Sequence, residues 1–179
     1  PDLEDACGEN YTFRDLIECG ETQNISGIAN LPKQPDTYTA LTELAETILD
    51  PIIDYYGPIK LTFAFCSKEL AKLIPGRIAP KLDQHAAYEL NRQGKIICQR
   101  LGAAVDFIVE DEDMMEAAKW IEENLNFDRI YIYGKNLPIH ISTGPEMLKQ
   151  VTLMLPDKKG KRLVPKTLKK VGLGKIDGL

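Results

Sequence analysis

Only two histidines occur in this chain, His85 and His140, and each lies beside or inside an apolar segment. One carboxylate, Asp106, sits within the β-like run Ala103–Val109, where an unpaired charge would be costly to bury. Two imidazoles and a carboxylate are the usual protein ligands of a zinc ion that keeps one coordination position open. Such an ion polarises a carbonyl and makes water nucleophilic near neutral pH, which is hydrolytic chemistry. Two imidazoles favour zinc over magnesium. Taken singly, each residue has a plainer reading. A lone histidine on an apolar segment is commonly a core residue that donates to a carbonyl, and an aspartate in a strand commonly accepts backbone N–H groups. The chain has no HExxH segment, so the commonest zinc-peptidase signature is absent.

The elements that must position these three residues follow from apolar spacing and turn chemistry. Tyr11–Ile17 reads as a short helix with Thr12 as its N-cap, stopped by Gly20. Tyr38, Leu41, Leu44, Ala45, Ile48 and Leu49 recur at helical spacing and predict a long helix from about Asp36, kinked or restarted at Pro51. Ile59–Phe65 is a predicted strand, followed by a short helix capped by Ser67. Leu82–Asn91 reads as a helix carrying His85, and 95–101 as an added strand or hairpin arm. After the strand of Asp106, the acidic run Glu110–Asp113 suits the positive end of a helix dipole and predicts a helix to about Leu125. Strands are expected at Arg129–Tyr133, Pro138–Ser142 and Val151–Leu155. Helices followed by an antiparallel meander make an α+β fold, in which N-terminal helices pack on a small antiparallel sheet.

At 179 residues, 44% hydrophobic and 27% charged, the chain is long enough for one domain with a full core. No apolar run reaches bilayer length, and the acidic start Pro1–Asp5 does not read as a signal peptide. The absence of an initiating Met points to a trimmed chain. Cys7, Cys19, Cys66 and Cys98 are scattered with no CxxC pair, which reads as reduced thiols and a cytoplasmic location. The domain is expected to span residues 1–155. From Pro156 to Leu179 the chain carries eight Lys/Arg against two Asp, a basic tail behind an acidic body. That tail reads as a solvated terminus, or as a contact for nucleic acid or for the protein's own acidic face.

Order and local context resemble a known family. Gln84-His85, then Gly102-Ala103-Ala104-Val105-Asp106, then Pro138-Ile139-His140-Ile141-Ser142 are similar to the three zinc-binding segments of the D-alanyl-D-alanine carboxypeptidases and phage endolysins of the hedgehog/DD-peptidase fold. Tyr11–Leu16, Leu44–Pro51 and Gly57–Thr62 resemble that family's opening, long helix and first strand, so the likeness covers most of residues 11–143. It implies that fold, zinc held by His85, Asp106 and His140, and hydrolysis of a peptide or amide bond.

Three departures shape the expectation. Twenty residues separate His85 from Asp106, where the family's spacing is short, so about 86–101 reads as an insertion that forms a lid or a partner surface, or that displaces His85 from the site. The acidic general base that the family places just before its last histidine is missing; Glu146, Glu89 and Asp83 are the substitutes to weigh. Where the family has an arginine for substrate, this chain has Cys66, which reads either as a buried small hydrophobe or as a fourth ligand closing the site. Two functions remain open: a divergent zinc hydrolase, or a repurposed domain of the same fold that binds a partner or nucleic acid.

Overall fold

The computed structural model describes residues 1–76 and 79–168. Two short strands, β1 (Ala6–Cys7) and β2 (Tyr11–Thr12), open the chain as a hairpin. Helix α1 (Phe13–Ile17) follows; the Asp15 carboxylate accepts both the backbone N–H of Thr12 (2.7 Å) and its hydroxyl (2.9 Å), which fixes the helix start. Then come α2 (Glu21–Ser26) and α3 (Pro35–Leu44). The predicted kink at Pro51 is present in a specific form. A π-helical segment, Ala45–Leu49, joins α3 to α4 (Asp50–Tyr56), and the Asp50 N–H reaches back to the Ala45 carbonyl. Proline has no N–H to give and its ring crowds the preceding turn, so the helix widens just before it.

The remaining elements are β3 (Lys60–Phe63), α5 (Lys68–Ala71), β4 (Ala103–Ile108), α6 (Met114–Asn124), β5 (Arg129–Ile132), β6 (Ile139–Thr143), β7 (Gln150–Pro156) and β8 (Leu163–Thr167). Strands β3 to β8 form one sheet in the order β3-β4-β6-β5-β7-β8. The fold is α+β, but the sheet is mixed: β5 and β7 run parallel, and every other neighbouring pair is antiparallel. The expected meander fails there because β6 folds back onto β5 on the side next to β4, leaving the other edge of β5 for β7.

Period-2 alternation divides the sheet's faces. Val105, Phe107, Ile130, Ile132, Ile139, Ile141, Val151 and Leu153 are buried in the core, where α3 lies against β4 and β6 and α6 lies against β5. The intervening residues form the opposite face. One row of direct cross-strand partners crosses all six strands on that face: Phe63, Asp106, His140, Tyr131, Thr152 and Thr167. A bulge at Thr62 puts Phe63 into this row.

Three local expectations are corrected. Residues 82–91 are not a helix; His85 sits on an isolated 3₁₀ turn, Gln84–Ala86, preceded by another at Pro80–Leu82. The Asp83 side chain accepts the His85 N–H at 3.0 Å, a local bond that competes with helix. Residues 95–101 add no strand to the sheet, only a single bridge, Leu90 to Ile96. Asn91 Oδ1 accepts from the N–H groups of Gln93 (2.9 Å) and Lys95 (3.1 Å), curling this segment into a turn. Finally, the stretch after Pro156 is not wholly a solvated tail, because β8 pairs along β7; residues 169–179 of that tail lie outside the described residues. No helix among the described residues is long and apolar enough to cross a membrane.

Candidate metal centre

Each of the three predicted ligands is aimed by a different element. Asp106 and His140 are direct partners across β4 and β6, so their side chains leave the same face side by side. The entry to β4 sets this register. Gly102 has φ +75°, and a Cβ there would lie 1.9 Å from the Thr143 carbonyl oxygen. Only glycine lets β4 begin so close to the end of β6.

His85 comes to the same point from the other end of the segment 86–101. Its neighbour Gln84 is buried, and the two N–H groups of Gln84 Nε2 are shared among three acceptors, Leu101 O (2.9 Å), Asp128 Oδ2 (2.9 Å) and Thr143 O (3.2 Å). These contacts tie the 3₁₀ turn to the start of β4 and the ends of the central strands. The Cys66 N–H donates to the His85 carbonyl (2.9 Å), and the Phe63 ring packs against the imidazole at 4.5 Å. The segment 86–101 therefore loops out and returns, with both of its ends held at the triad.

The ligand atoms converge. His140 Nδ1 lies 2.8 Å from Asp106 Oδ1 and 3.2 Å from His85 Nε2, and His85 Nε2 lies 3.2 Å from the same Oδ1. His85 Nδ1 is 2.6 Å from the Ala64 carbonyl, which can only accept, so Nδ1 carries the proton and a neutral ring presents a bare lone pair at Nε2. That lone pair then faces the Asp106 oxygen, acceptor against acceptor. A proton on Nε2 would relieve one contact and make His85 cationic; a metal ion would relieve all three. Bonds of about 2.0–2.1 Å in tetrahedral geometry need ligand atoms about 3.3 Å apart, close to the separations present. The donor set fits a divalent metal.

Electrostatics agree. Burial would push the Asp106 carboxyl up, but the two histidines, by the positive charge they carry when protonated and by hydrogen bonds, outweigh it and hold it well below the usual carboxylate range. Burial also pushes His140 below its ordinary value, against the pull of Asp106, which favours the neutral, metal-binding form. Tyr133 is held above its ordinary value by burial and by the nearby Asp106, so its phenol stays protonated.

The triad opens into a cleft of about 470 Å³. Phe63, Asp83, Arg100 and Tyr131 line it near the metal ligands, and Thr152 and Thr167 line it further along the sheet. Of the three candidate bases, only Asp83 lines this cleft. Glu89 is buried elsewhere; its Oε1 accepts from the N–H groups of Lys33 (3.0 Å) and Gln34 (3.1 Å) and from the Thr37 hydroxyl (3.0 Å), which anchors the start of α3. Glu146 is exposed on the loop after β6. Cys66 is not a fourth ligand. Among the described residues the converging group is His85, Asp106 and His140 alone, and the Cys66 thiol is buried and donates to its neighbour's carbonyl, Ser67 O (3.4 Å).

Sequence reasoning missed Arg100, Tyr131 and Tyr133. The tyrosines carried a usable signal, since they alternate with the buried Ile130 and Ile132 and so share a strand face. Arg100 carried none, because it lies in a segment of turns and bends with no periodic pattern. Comparison of the chain with protein-family models, with curated proteins and with solved structures found no match.

Proposed function

We propose that this protein is a zinc-dependent hydrolase of amide or peptide bonds, a divergent relative of the D-alanyl-D-alanine carboxypeptidases and phage endolysins of the hedgehog/DD-peptidase fold. One observation carries the reading: two imidazole nitrogens and a carboxylate oxygen lie within 3.2 Å of one another where the cleft opens. Zinc held there supplies Lewis acidity toward a carbonyl and brings the pKa of water toward about 7. The chain's own groups do the rest. Ala64 and Asp83 fix the orientation of His85. Tyr133, kept protonated, offers a donor to the oxygen of a carbonyl under attack. Asp83, the remaining carboxylate of the cleft wall among the described residues, is the proton acceptor.

A second reading is favoured by one specific observation. The two glutamates that might have replaced the family's base are excluded by placement, Glu89 in a helix anchor and Glu146 on an outer loop. A fold that keeps its metal and has lost its base suits a binding role, toward a protein partner or toward nucleic acid through the basic residues after Pro156.

One experiment separates them. The purified protein is assayed for zinc, then for hydrolysis of general peptides and peptidoglycan fragments, with and without a chelator. About one zinc per chain, with hydrolysis that chelation abolishes and His140→Ala removes, supports the enzyme. Full activity in His140→Ala defeats it. Zinc without hydrolysis, together with DNA or RNA binding that falls steeply with salt, supports the second reading.

A further inference from the structure

The cleft beside the triad contains a guanidinium, Arg100, that forms no ion pair with any described carboxylate. It is the only Lys or Arg side chain lining the cleft among the described residues. The guanidinium is nevertheless held in place. Its Nη1 donates to the Leu82 carbonyl (3.1 Å) and to the Tyr131 hydroxyl (3.2 Å). Tyr131 is the direct cross-strand partner of His140, and their rings pack edge to face at 5.4 Å. Arg100 therefore sits beside the metal ligands, on the side toward β7 and β8.

A guanidinium has five N–H donors, and Nη1 supplies both of its own here. Nε–H and the Nη2 pair remain, the fork that matches a carboxylate or phosphate with two parallel hydrogen bonds. The other charges do not oppose this. Asp106 is engaged with both histidines, and Asp83 Oδ1 takes the His85 N–H. Beyond Tyr131 the row continues with the hydroxyl residues Thr152 and Thr167, so the wall offers hydroxyls on two more strands, beside Met154 and Pro165, over roughly 10 Å at the spacing of strands in a sheet.

We propose that Arg100 is the specificity-determining anion site of this cleft: the ligand carries a carboxylate or phosphate group, bound by Arg100 next to the metal-binding triad. The segment between His85 and Asp106 thus delivers a substrate-binding residue. This rests on the metal-cleft reading above and narrows it to ligands with an anionic group close to the bond that reacts.

The test compares zinc-loaded wild type with Arg100→Gln, which removes the charge while retaining an amide donor, and with Arg100→Lys. Acetohydroxamate, succinic monohydroxamate and phosphonoacetohydroxamate are titrated by calorimetry. In wild type, at least one anionic hydroxamate binds about tenfold more tightly than the neutral one, the scale of one charge-assisted hydrogen bond; which one shows whether carboxylate or phosphate is preferred. Arg100→Gln abolishes the preference at unchanged zinc content, and Arg100→Lys retains part of it. Equal affinities in wild type, or a preference that survives in Arg100→Gln, overturns the proposal and leaves the metal reading intact. A parallel arm titrates succinate and inorganic phosphate into chelator-treated protein and follows the arginine Nε–H signals by NMR. A shift in wild type that is lost in Arg100→Gln sustains the anion site even if the protein retains no zinc, the outcome that sinks the metal reading; no shift with either anion, in a protein without zinc, sinks both.

Discussion

Asp106 on β4 and His140 on β6 are direct cross-strand partners, and their Oδ1 and Nδ1 atoms lie 2.8 Å apart. Backbone pairing alone brings two of the three ligands together; His85 is the one that must be delivered from elsewhere. The protein without metal should therefore keep a formed half-site, and metal should act mainly on the turn that carries His85. Zinc should raise the thermal midpoint, by the equivalent of about 4 kcal/mol at a thousandfold excess over Kd. His85→Ala, Asp106→Asn and His140→Ala should each abolish that rise and reduce bound zinc to background, read by calorimetry and elemental analysis.

Gln84 should matter almost as much as the residue it positions. Its amide bridges Leu101, Asp128 and Thr143, so Gln84→Ala leaves buried acceptors short of a donor. The expected cost is about 1–3 kcal/mol of stability and a loss of about 10–100-fold in zinc affinity. Denaturant melts and competition with a chromophoric chelator measure the two. Unchanged affinity would mean that the His85 turn is held by its other contacts.

Gly102→Ala should be among the most damaging single substitutions. The added methyl would meet the Thr143 oxygen at 1.9 Å, at a backbone angle that alanine disfavours. Separation of β4 from β6 would also part Asp106 from His140. A loss of about 3 kcal/mol or more is expected, with zinc binding lost in any folded fraction. A crystal structure of a stable variant with the strand register intact would contradict this.

Glu89 separates the scaffold from the site. Glu89→Ala removes the acceptor for Lys33, Gln34 and Thr37, and should cost about 1–3 kcal/mol. Zinc content should not change, because Glu89 does not line the cleft. Reduced zinc at full folding would return Glu89 to the list of site residues.

The metal-free protein should lose stability in acid in two stages. His140 titrates below its ordinary 6.5 in the fold, so below about pH 6.5 the unfolded chain takes up a proton that the folded one resists, and stability falls. Asp106 is also held below its ordinary 3.8, so its contribution is full above that value and is lost as pH falls further. Urea midpoints in chelator from pH 8 to pH 5 should decline in wild type and decline less in His140→Gln. A flat profile would show that the fold does not favour neutral His140.

Much of the scaffold could be read from residue types. Pro51 announced the break in the long helix, Ser67 and the acidic run before Met114 marked helix starts, and the alternation around Asp106 and His140 marked two strands. Sequence reading failed at 82–101. There Asp83 and Asn91 bond to nearby backbone groups, and short 3₁₀ turns and bends leave no hydrophobic period to detect. Glu89 shows the same limit: an acidic side chain in a segment without hydrophobic period proved to be an anchor for a helix start more than 50 residues earlier.

By itself, the sequence determined which side chains are present to do chemistry, their order, and which strand face each occupies, because side-chain alternation is a local property of the backbone. Only the tertiary structure decided that His85 returns across the 20 intervening residues to within 3.2 Å of Asp106, that Arg100 comes with it, and that the Cys66 thiol and the Glu89 carboxylate are not among the converging ligand atoms. Those outcomes depend on strand register and on where a loop's two ends are fastened, through partners as remote as Gln84 and Thr143. Contacts that distant leave no periodic trace in the residues between them.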